Sequence, residues 1–512
     1  MSFHARAVLG AMVLFACSSP EAPGKTPYAA AKLPALAGAP TTLDRTLVPT
    51  HAVSSPAETR SPSDPELRAA LLAEGFGDFT VGPGEPTVLR APPAMTAPAQ
   101  GANPKLLVRF AHMPDLQLAD DESPSRLAAF DTPGATNAAF RPQDVDQCRV
   151  LNAAVRTLNA LQTKLPMSFL LLGGDNSDDA QEDELGWVLD LLGGSSRVEC
   201  DSGADDDPTP GPGNDGKDPF VAEGLKIPFY WVTGNHDVLV QGNFAVDDFR
   251  INTALGDTAI GGTRDWSLPG GPVGKGPFPT DAKRKPLHRA EVMARVAAHG
   301  DGHGVGPAQV ASGKANYTFD VPSTPLRFVI LDTAAETGAS DGVIRRGDVD
   351  TFVKPTLDKA QADGKYVVLA SHHAVASLSD GTGLGGTKQA DALTQDEWKT
   401  LVGGYPNVLF SIVGHSHQHR VTYQEPTAGH GWWEVMTSAL ADFPHQLRVL
   451  ELWDDDNGWI RLRGVLADYA TDDDPVAAEG RKLGILDYTS GWCPSGVGIA
   501  GDRNVELVIP KP

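Results

Sequence analysis

The sequence predicts an α/β fold, because short apolar runs alternate with stretches of helical periodicity from residue 105 to about residue 420. The apolar runs are five or six residues long, which is typical of buried strands. Polar or glycine-containing segments follow these runs, and an open α/β sheet carries its functional site at the ends of its strands. The same pattern therefore predicts both the fold class and the place of the site.

The first residues are typical of a bacterial export signal. His4 and Arg6 precede an apolar run at residues 7–16, which is too short to span a bilayer, and Cys17 follows directly. The run and the cysteine resemble a lipobox, in which the cysteine is lipidated after cleavage. We therefore expect residues 1–17 to be a lipoprotein-type signal peptide. The protein would then be exported and lipid-anchored on the periplasmic or cell-surface side of a bacterial membrane; the alternative is an ordinary signal peptide and a secreted protein.

The rest of the chain divides by composition. Residues 18–104 are rich in Pro and Ala and are expected to form a tether with an N-terminal extension. The main domain is predicted at 105–470, with polar and Gly-rich insertions at about 196–226 and 254–313. We expect residues 471–512 to form a C-terminal extension that packs on this domain.

The strand and helix candidates follow one another in order along the main domain. The strand candidates are 106–111, 168–172, 227–232, 326–331, 366–370 and 408–413, and the helix candidates are 150–161 and 183–192. After residue 430 the pattern changes to strands at 432–436, 446–452 and 459–465, with a turn at 456–458. That last part indicates antiparallel pairing.

Charge and cysteine content limit the partners and the compartment. The chain has 42 Lys and Arg against 65 Asp and Glu, a net charge of −23, which disfavours binding to nucleic acid and to anionic lipid. Contact with a membrane is therefore expected only through the lipid anchor. With Cys17 lipidated, Cys148, Cys200 and Cys493 remain, so an oxidising compartment allows one disulfide whose pairing stays open.

Five polar segments follow the strand candidates and supply only oxygen and nitrogen donors. They are Asp115-Leu116-Gln117, Gly174-Asp175, Gly234-Asn235-His236-Asp237, His372-His373 and Gly414-His415-Ser416-His417. This donor set suits two hard or borderline divalent ions that share a bridging carboxylate. The pattern therefore predicts a dinuclear metal site and hydrolysis of a phosphate ester.

The order of these segments resembles the five-block signature of the calcineurin-like metallophosphoesterase superfamily over roughly residues 105–420, with the GNHD and GHSH segments as its most specific blocks. The resemblance implies a four-layer αββα sandwich, in which two mixed sheets are flanked by helices. It also implies that 105–470 is a metallophosphoesterase catalytic domain. A metal-bridging hydroxide would attack the phosphorus of a small phosphate ester, either a monoester or a diester.

Roles of single residues come from the same resemblance. It implies two metal positions that share Asp175: the first held by Asp115, Gln117, Asp175 and His417, and the second by Asp175, Asn235, His372 and His415. His236 would donate a proton to the leaving group, and Asp178 would orient it. His373 would face the substrate. Mn, Fe and Zn are the metals that we expect, with Mg and Ca as alternatives.

Gln117 departs from the pattern, because the superfamily normally has a histidine at this position. An amide oxygen is a poorer donor than imidazole nitrogen for zinc or iron, so the first metal position should be weaker. The alternative function is therefore a catalytically degenerate, surface-anchored metal-binding or scaffold lipoprotein. The oligomeric state is left open.

Overall fold

The computed structural model describes residue 30 and residues 32–56, 60–134, 136–203 and 217–512. The predicted signal peptide at 1–17, with Cys17, lies outside the described residues, as does the middle of the first insertion. Within the described part of the chain, no helix is both long enough and apolar enough to cross a membrane.

Strands and helices alternate through much of the chain. The strands are β1 (Arg45–Pro49), β2 (Phe79–Pro83), β3 (Val88–Arg90), β4 (Lys105–Met113), β5 (Leu170–Leu172), β6 (Ser195–Val198), β7 (Phe220–Ala222), β8 (Phe229–Tyr230), β9 (Leu239–Val240), β10 (Phe244–Ala245), β11 (Thr263–Arg264), β12 (Val273–Gly274), β13 (Tyr317–Asp320), β14 (Leu326–Ile330), β15 (Tyr366–Ala370), β16 (Val408–Val413), β17 (Arg420–Gln424), β18 (Trp432–Met436), β19 (Gln446–Asp454), β20 (Trp459–Asp468) and β21 (Val505–Pro510). The helices are α1 (Pro65–Ala73), α2 (Gln147–Leu161), α3 (Glu182–Gly193), α4 (Asp248–Ala254), α5 (Arg289–Ala298), α6 (Pro307–Ser312), α7 (Arg346–Asp348), α8 (Lys354–Ala362), α9 (Gln395–Gly403) and α10 (Pro475–Thr489). A π-helix (Val349–Val353) joins α7 to α8, and short 3-10 helices lie at Ala128–Phe130, Asp144–Asp146, Ala282–Arg284, Val375–Ser377 and Ala500–Asp502.

Two mixed sheets form the centre of the molecule. One has seven strands in the order β3-β21-β20-β19-β4-β5-β8, with β4, β5 and β8 parallel and β4, β19, β20 and β21 antiparallel. The other has six strands in the order β13-β14-β15-β16-β18-β17, with a parallel centre and an antiparallel strand at each edge. Each sheet therefore has a parallel part whose strands all end on the same side.

Alternation along the strands explains why the sheets stack face to face. In β15, Val368 and Ala370 lie in the core between the sheets, whereas Val367 and Leu369 pack against helices α8 and α9 on the outer face. Phe110 of the seven-stranded sheet meets Phe328 of the other sheet edge to face, with ring centroids 5.3 Å apart. Helices α2 and α3 pack on the seven-stranded sheet. The predicted α/β fold, a four-layer sandwich of two mixed sheets flanked by helices, is confirmed.

The predicted strand bounds agree best with the structure where the strand is buried on both faces. The strands predicted at 366–370 and 408–413 have the observed bounds, because strands buried on both faces are continuous apolar runs. The candidate at 227–232 contains only the two-residue strand β8, because it lies at the sheet edge and pairs with β5 alone.

The predicted domain boundaries at residues 104 and 470 do not separate structural units. Strand β21 pairs with β20 of the main domain, and β3 pairs in parallel with β21, so both flanking segments contribute strands to the seven-stranded sheet. Both flanking segments thus pack on the main domain through β-sheet pairing. A disulfide joins Cys148 of α2 to Cys200 of the first insertion, and Cys493 is a free, buried thiol.

Candidate metal centre

All five predicted segments lie at the carboxyl ends of parallel strands. Asp115 and Gln117 follow β4, Asp175 follows β5, and the segment with Asn235 follows β8, which are three neighbouring strands of the seven-stranded sheet. The His372 segment follows β15 and the His415 segment follows β16, which are neighbours in the other sheet. Because the sheets stack face to face, the segments converge on one end of the sandwich.

The backbone is strained at these positions. Five of the predicted ligand residues have φ in the left-handed region: Asp115 at 51°, Gln117 at 36°, Asp175 at 53°, His415 at 75° and His417 at 50°. Each such residue costs about 1–2 kcal/mol relative to an ordinary conformation. Main-chain hydrogen bonds stabilise these conformations. For example, the amide of Gln117 donates to the Asp175 carbonyl at 2.9 Å. Strain of this kind is concentrated at functional sites.

The predicted ligands of the second metal position are Asp175, Asn235, His372 and His415. Nδ1 of His372 donates to the carbonyl of Gly173 at 2.8 Å, so Nε2 of the neutral ring carries a lone pair. That Nε2 is buried and lies 3.0 Å from Oδ2 of Asp175, so a proton or a cation must lie between the two atoms. The amide nitrogen of Asn235 donates to the carbonyl of Gly242 at 3.0 Å.

This hydrogen bond leaves Oδ1 of Asn235 as an acceptor without a donor in the described structure, on a side chain that is 1% exposed. A buried acceptor without a donor costs about 1–3 kcal/mol. A divalent cation would satisfy this oxygen, and a cation could also replace the proton between His372 and Asp175, so the residues of the second position fit a metal ion.

The carboxylates beside two of the histidines favour a positive charge at the candidate centre. Although burial lowers it, Asp175 and Asp115 raise the pKa of His372 to about 9. Burial likewise opposes a charge on His417, but Asp115 and Asp442 raise the pKa of His417 to about 10. The pKa of the bridging carboxyl Asp175 is lowered, because His372 and His236 outweigh its burial. The centre is therefore a place of strong negative potential that a proton or a metal ion can neutralise.

The first metal position is arranged differently. Nε2 of His417 lies 3.3 Å from Oδ1 of Asp115, and its Nδ1 contacts Oδ2 of Asp442 at 2.5 Å. A carboxylate behind a histidine in this way fixes its tautomer and orientation as a metal ligand. Asp442 was not predicted from the sequence, although its position six residues after the end of β18 follows the same rule as the other site residues.

The side chain of Gln117 is hydrogen-bonded to Arg141. Nη2 of Arg141 donates to Oε1 of Gln117 at 2.5 Å, and Nε of the same guanidinium donates to Oδ1 of Asp442 at 2.7 Å. Arg141 is buried and was not predicted either, because nothing in its local sequence marks it. A carbonyl oxygen has two lone pairs, so one remains for a cation. The guanidinium places a positive charge beside that oxygen, and the first position is therefore the weaker of the two.

His236 is placed toward the centre, but Asp178 holds it through the main chain. The amide of His236 donates to Oδ1 of Asp175 at 2.8 Å, and its Nδ1 donates to the carbonyl oxygen of Asp178 at 2.6 Å. The carboxylate of Asp178 is farther away, with Oδ1 at 3.5 Å, and is paired with Arg126. Asp178 thus contacts the imidazole through its main-chain carbonyl and not by a carboxylate–histidine hydrogen bond.

The substrate-facing role predicted for His373 does not fit the geometry. A ring nitrogen of His373 lies within 4.8 Å of ligand nitrogens of His372 and His415. However, Nδ1 accepts from the hydroxyl of Thr333 at 2.8 Å and Nε2 donates to the carbonyl of Ser340 at 2.8 Å. The side chain is buried, and burial and His372 lower its pKa to about 3. His373 therefore supports the centre as a neutral, fully hydrogen-bonded ring.

Comparison with known proteins gives similarity at the level of structure. No family model matches the sequence, and no curated protein matches it. A dimetal phosphatase from Danio rerio is 12% identical and covers 72% of this chain and all of its own, with a TM-score of 0.39. The anchor in the inner membrane complex of Plasmodium is 12% identical, with coverages of 70% and 84% and a TM-score of 0.29. The sulfate thiohydrolase SoxB of Thermus thermophilus is 13% identical, with coverages of 76% and 61% and a TM-score of 0.30.

In its fold and in the order of its five segments, this chain resembles the calcineurin-like metallophosphoesterases. Identities of 12–13% bear on the fold alone. The site is therefore assigned from the residues of this chain and from the contacts that they make.

Replacement of Asp175 by asparagine should remove the metal ions, because this carboxylate faces both positions. We expect the variant to contain about two ions per chain fewer than the natural protein, measured by mass spectrometry after dialysis. Asp350→Asn changes an exposed carboxylate of the π-helix and should keep the natural content. Equal metal content in natural and Asp175→Asn protein would rule out the assigned centre.

Replacement of Gln117 by histidine should strengthen the first position, because imidazole nitrogen is the better donor for zinc. We expect about tenfold tighter binding of the weaker zinc ion, measured by competition with a chromophoric chelator. Gln361→His, an exposed change on α8, is the control. An unchanged affinity in the Gln117 variant would mean that Gln117 is not a ligand.

Proposed function

We propose that this protein is a metal-dependent hydrolase of phosphate esters that acts on a small monoester or diester. The observation that carries the proposal is the second metal position. There, the buried Oδ1 of Asn235 has no donor among the described residues, and Nε2 of His372 faces Oδ2 of Asp175 at 3.0 Å. Side chains that could bind a metal ion converge here from the ends of five strands. A purely structural polar cluster would satisfy the Asn235 oxygen with a hydrogen bond.

The residues of the site would have separate roles in hydrolysis. Two divalent ions, when bound, would neutralise the phosphoryl oxygens and activate a water molecule as the nucleophile. Asp175 would hold both ions and, through the amide of His236, position the imidazole. Because Nδ1 of His236 donates to the Asp178 carbonyl, Nε2 is the nitrogen that can give a proton to the leaving group. The side chain of His236 is 19% exposed, which allows contact with a substrate.

The donor set also supports a proposal for the ions. Histidine nitrogens at the second position suit manganese, iron or zinc. The first position combines carboxylate oxygens, an amide oxygen and one histidine, which also suits magnesium or calcium. The net charge of −23 is consistent with a small substrate and with no nucleic-acid partner.

We further propose that the protein is exported and lipid-anchored through Cys17. The Cys148–Cys200 disulfide supports an oxidising compartment, where such bonds persist. Labelled palmitate should be incorporated into the natural protein and lost from Cys17→Ser, with Cys493→Ser as the control. Export of unlabelled natural protein would instead support the ordinary signal peptide and a secreted protein.

One contact supports the alternative function, a catalytically degenerate, surface-anchored metal-binding or scaffold lipoprotein. Arg141 donates to the amide oxygen of Gln117, and its positive charge opposes a cation at the first position. A centre with one ion or none would lack the pair of charges that this chemistry uses.

A screen of purified protein decides between the two functions. Para-nitrophenyl phosphate and bis-para-nitrophenyl phosphate are incubated with the protein after loading with manganese, iron, zinc, magnesium or calcium. We expect turnover of at least one substrate with at least one ion, and none by the Asp175→Asn variant. No turnover in any combination, with folded protein, would support the scaffold function.

Replacement of His236 by asparagine should lower kcat by about 10²–10⁴-fold, because it removes a general acid. Metal content should stay unchanged. The loss should be larger for a phenyl ester than for the para-nitrophenyl ester, whose leaving group needs less protonation. His288→Asn, at the exposed start of α5, is the control. An equal loss for both leaving groups would exclude the proton-donor role.

A further inference from the structure

Three side chains suited to metal binding lie together behind the candidate centre. They are Asp442, in the loop after β18, Asp487, in the last part of α10, and Cys493, in the segment after that helix. One ligand atom of each, two carboxylate oxygens and the thiol sulfur, lies within 4.8 Å of the other two. All three residues are buried.

Asp487 is the informative member of this cluster. It is 1% exposed, and neither of its carboxylate oxygens has a hydrogen-bond partner among the described residues. The charges nearest to it are mostly negative, from Asp442, Asp131 and Asp144. The nearby guanidinium of Arg141 already donates to Asp442 and Gln117. A buried carboxylate with no donor is strongly unfavourable unless a proton or a cation neutralises it.

The backbone holds Cys493 against this carboxylate. The amides of Trp492 and Cys493 both donate to the main-chain carbonyl of Asp487, each at 3.2 Å. The segment after α10 is thereby folded back onto the end of the helix. The sulfur thereby lies within 4.8 Å of a carboxylate oxygen of Asp487. A thiol is a weak hydrogen-bond donor, but a thiolate is a strong ligand for borderline-soft cations.

The donor set differs in kind from that of the candidate centre, which has only oxygen and nitrogen. Two carboxylates with one thiolate favour zinc over magnesium or calcium. We propose that Asp442, Asp487 and Cys493 form a separate, structural site for a borderline-soft divalent cation such as zinc. This ion fastens the segment after α10 to the loop that supports His417. The proposal does not depend on whether the candidate centre hydrolyses phosphate esters.

Cobalt provides a test that sees this site alone. A thiolate bound to Co²⁺ gives an intense near-ultraviolet charge-transfer band, which oxygen and nitrogen ligands do not give. With the Cys148–Cys200 disulfide formed, Cys493 is the free thiol of the described chain. Because the site is buried, the exported protein is produced in cobalt-supplemented medium rather than soaked. We expect the band in natural protein and its absence in Cys493→Ser.

Further variants separate this site from the candidate centre. Asp487→Asn keeps the shape of the side chain but removes its charge, and it should weaken or abolish the band. Asp175→Asn should keep the band while losing the other ions, so failure of one site is distinguishable from failure of the other. Zinc-grown protein should lose one zinc per chain in Cys493→Ser. Folded natural protein without the band, or a band that persists in Cys493→Ser, would overturn the proposal.

Discussion

Asp175 presents one carboxylate oxygen to each half of the sandwich. Oδ1 accepts from the amide of His236, on the side of the seven-stranded sheet, and Oδ2 lies 3.0 Å from the ring of His372, on the side of the other sheet. This contact requires β5 and β15 to end at the same level, and it requires a left-handed backbone at Asp175. The placement of the remaining site residues depends on this junction between the two sheets.

The two metal positions differ because a buried chain of polar contacts supports one of them. Gln117, Arg141, Asp442 and His417 are linked in that order by hydrogen bonds. The chain orients two ligands of the first position, but it also brings a guanidinium close to where a cation would bind. The second position has no such competitor among the described residues, and the Asn235 oxygen there has no donor. Unequal affinities of the two positions follow from this asymmetry.

Strands and site residues that follow from the local sequence pattern could be predicted from the sequence. Buried parallel strands are continuous apolar runs, and polar segments at their ends mark the site, so Asp115, Asp175, Asn235 and the histidines of both sheets could be found. Arg141 and Asp442 could not be assigned, because their roles come from contacts with Gln117 and His417 across 24 and 25 residues. For His373 the local sequence was misleading. Its position beside a predicted ligand suggested contact with the substrate, but hydrogen bonds to Thr333 and Ser340 occupy both ring nitrogens.

Strand β3 covers the outer edge of β21, so the first part of the chain closes the sheet formed by its last part. Thr42 strengthens this closure, because its amide donates to the carbonyl of Leu466 and its hydroxyl to the side chain of Asn504. A shortened protein that starts at residue 105 would leave the outer edge of β21 unpaired at residues 505–507. Such edges recruit strands from other molecules. Residues of the predicted tether and N-terminal extension thus protect this sheet edge from pairing with other molecules.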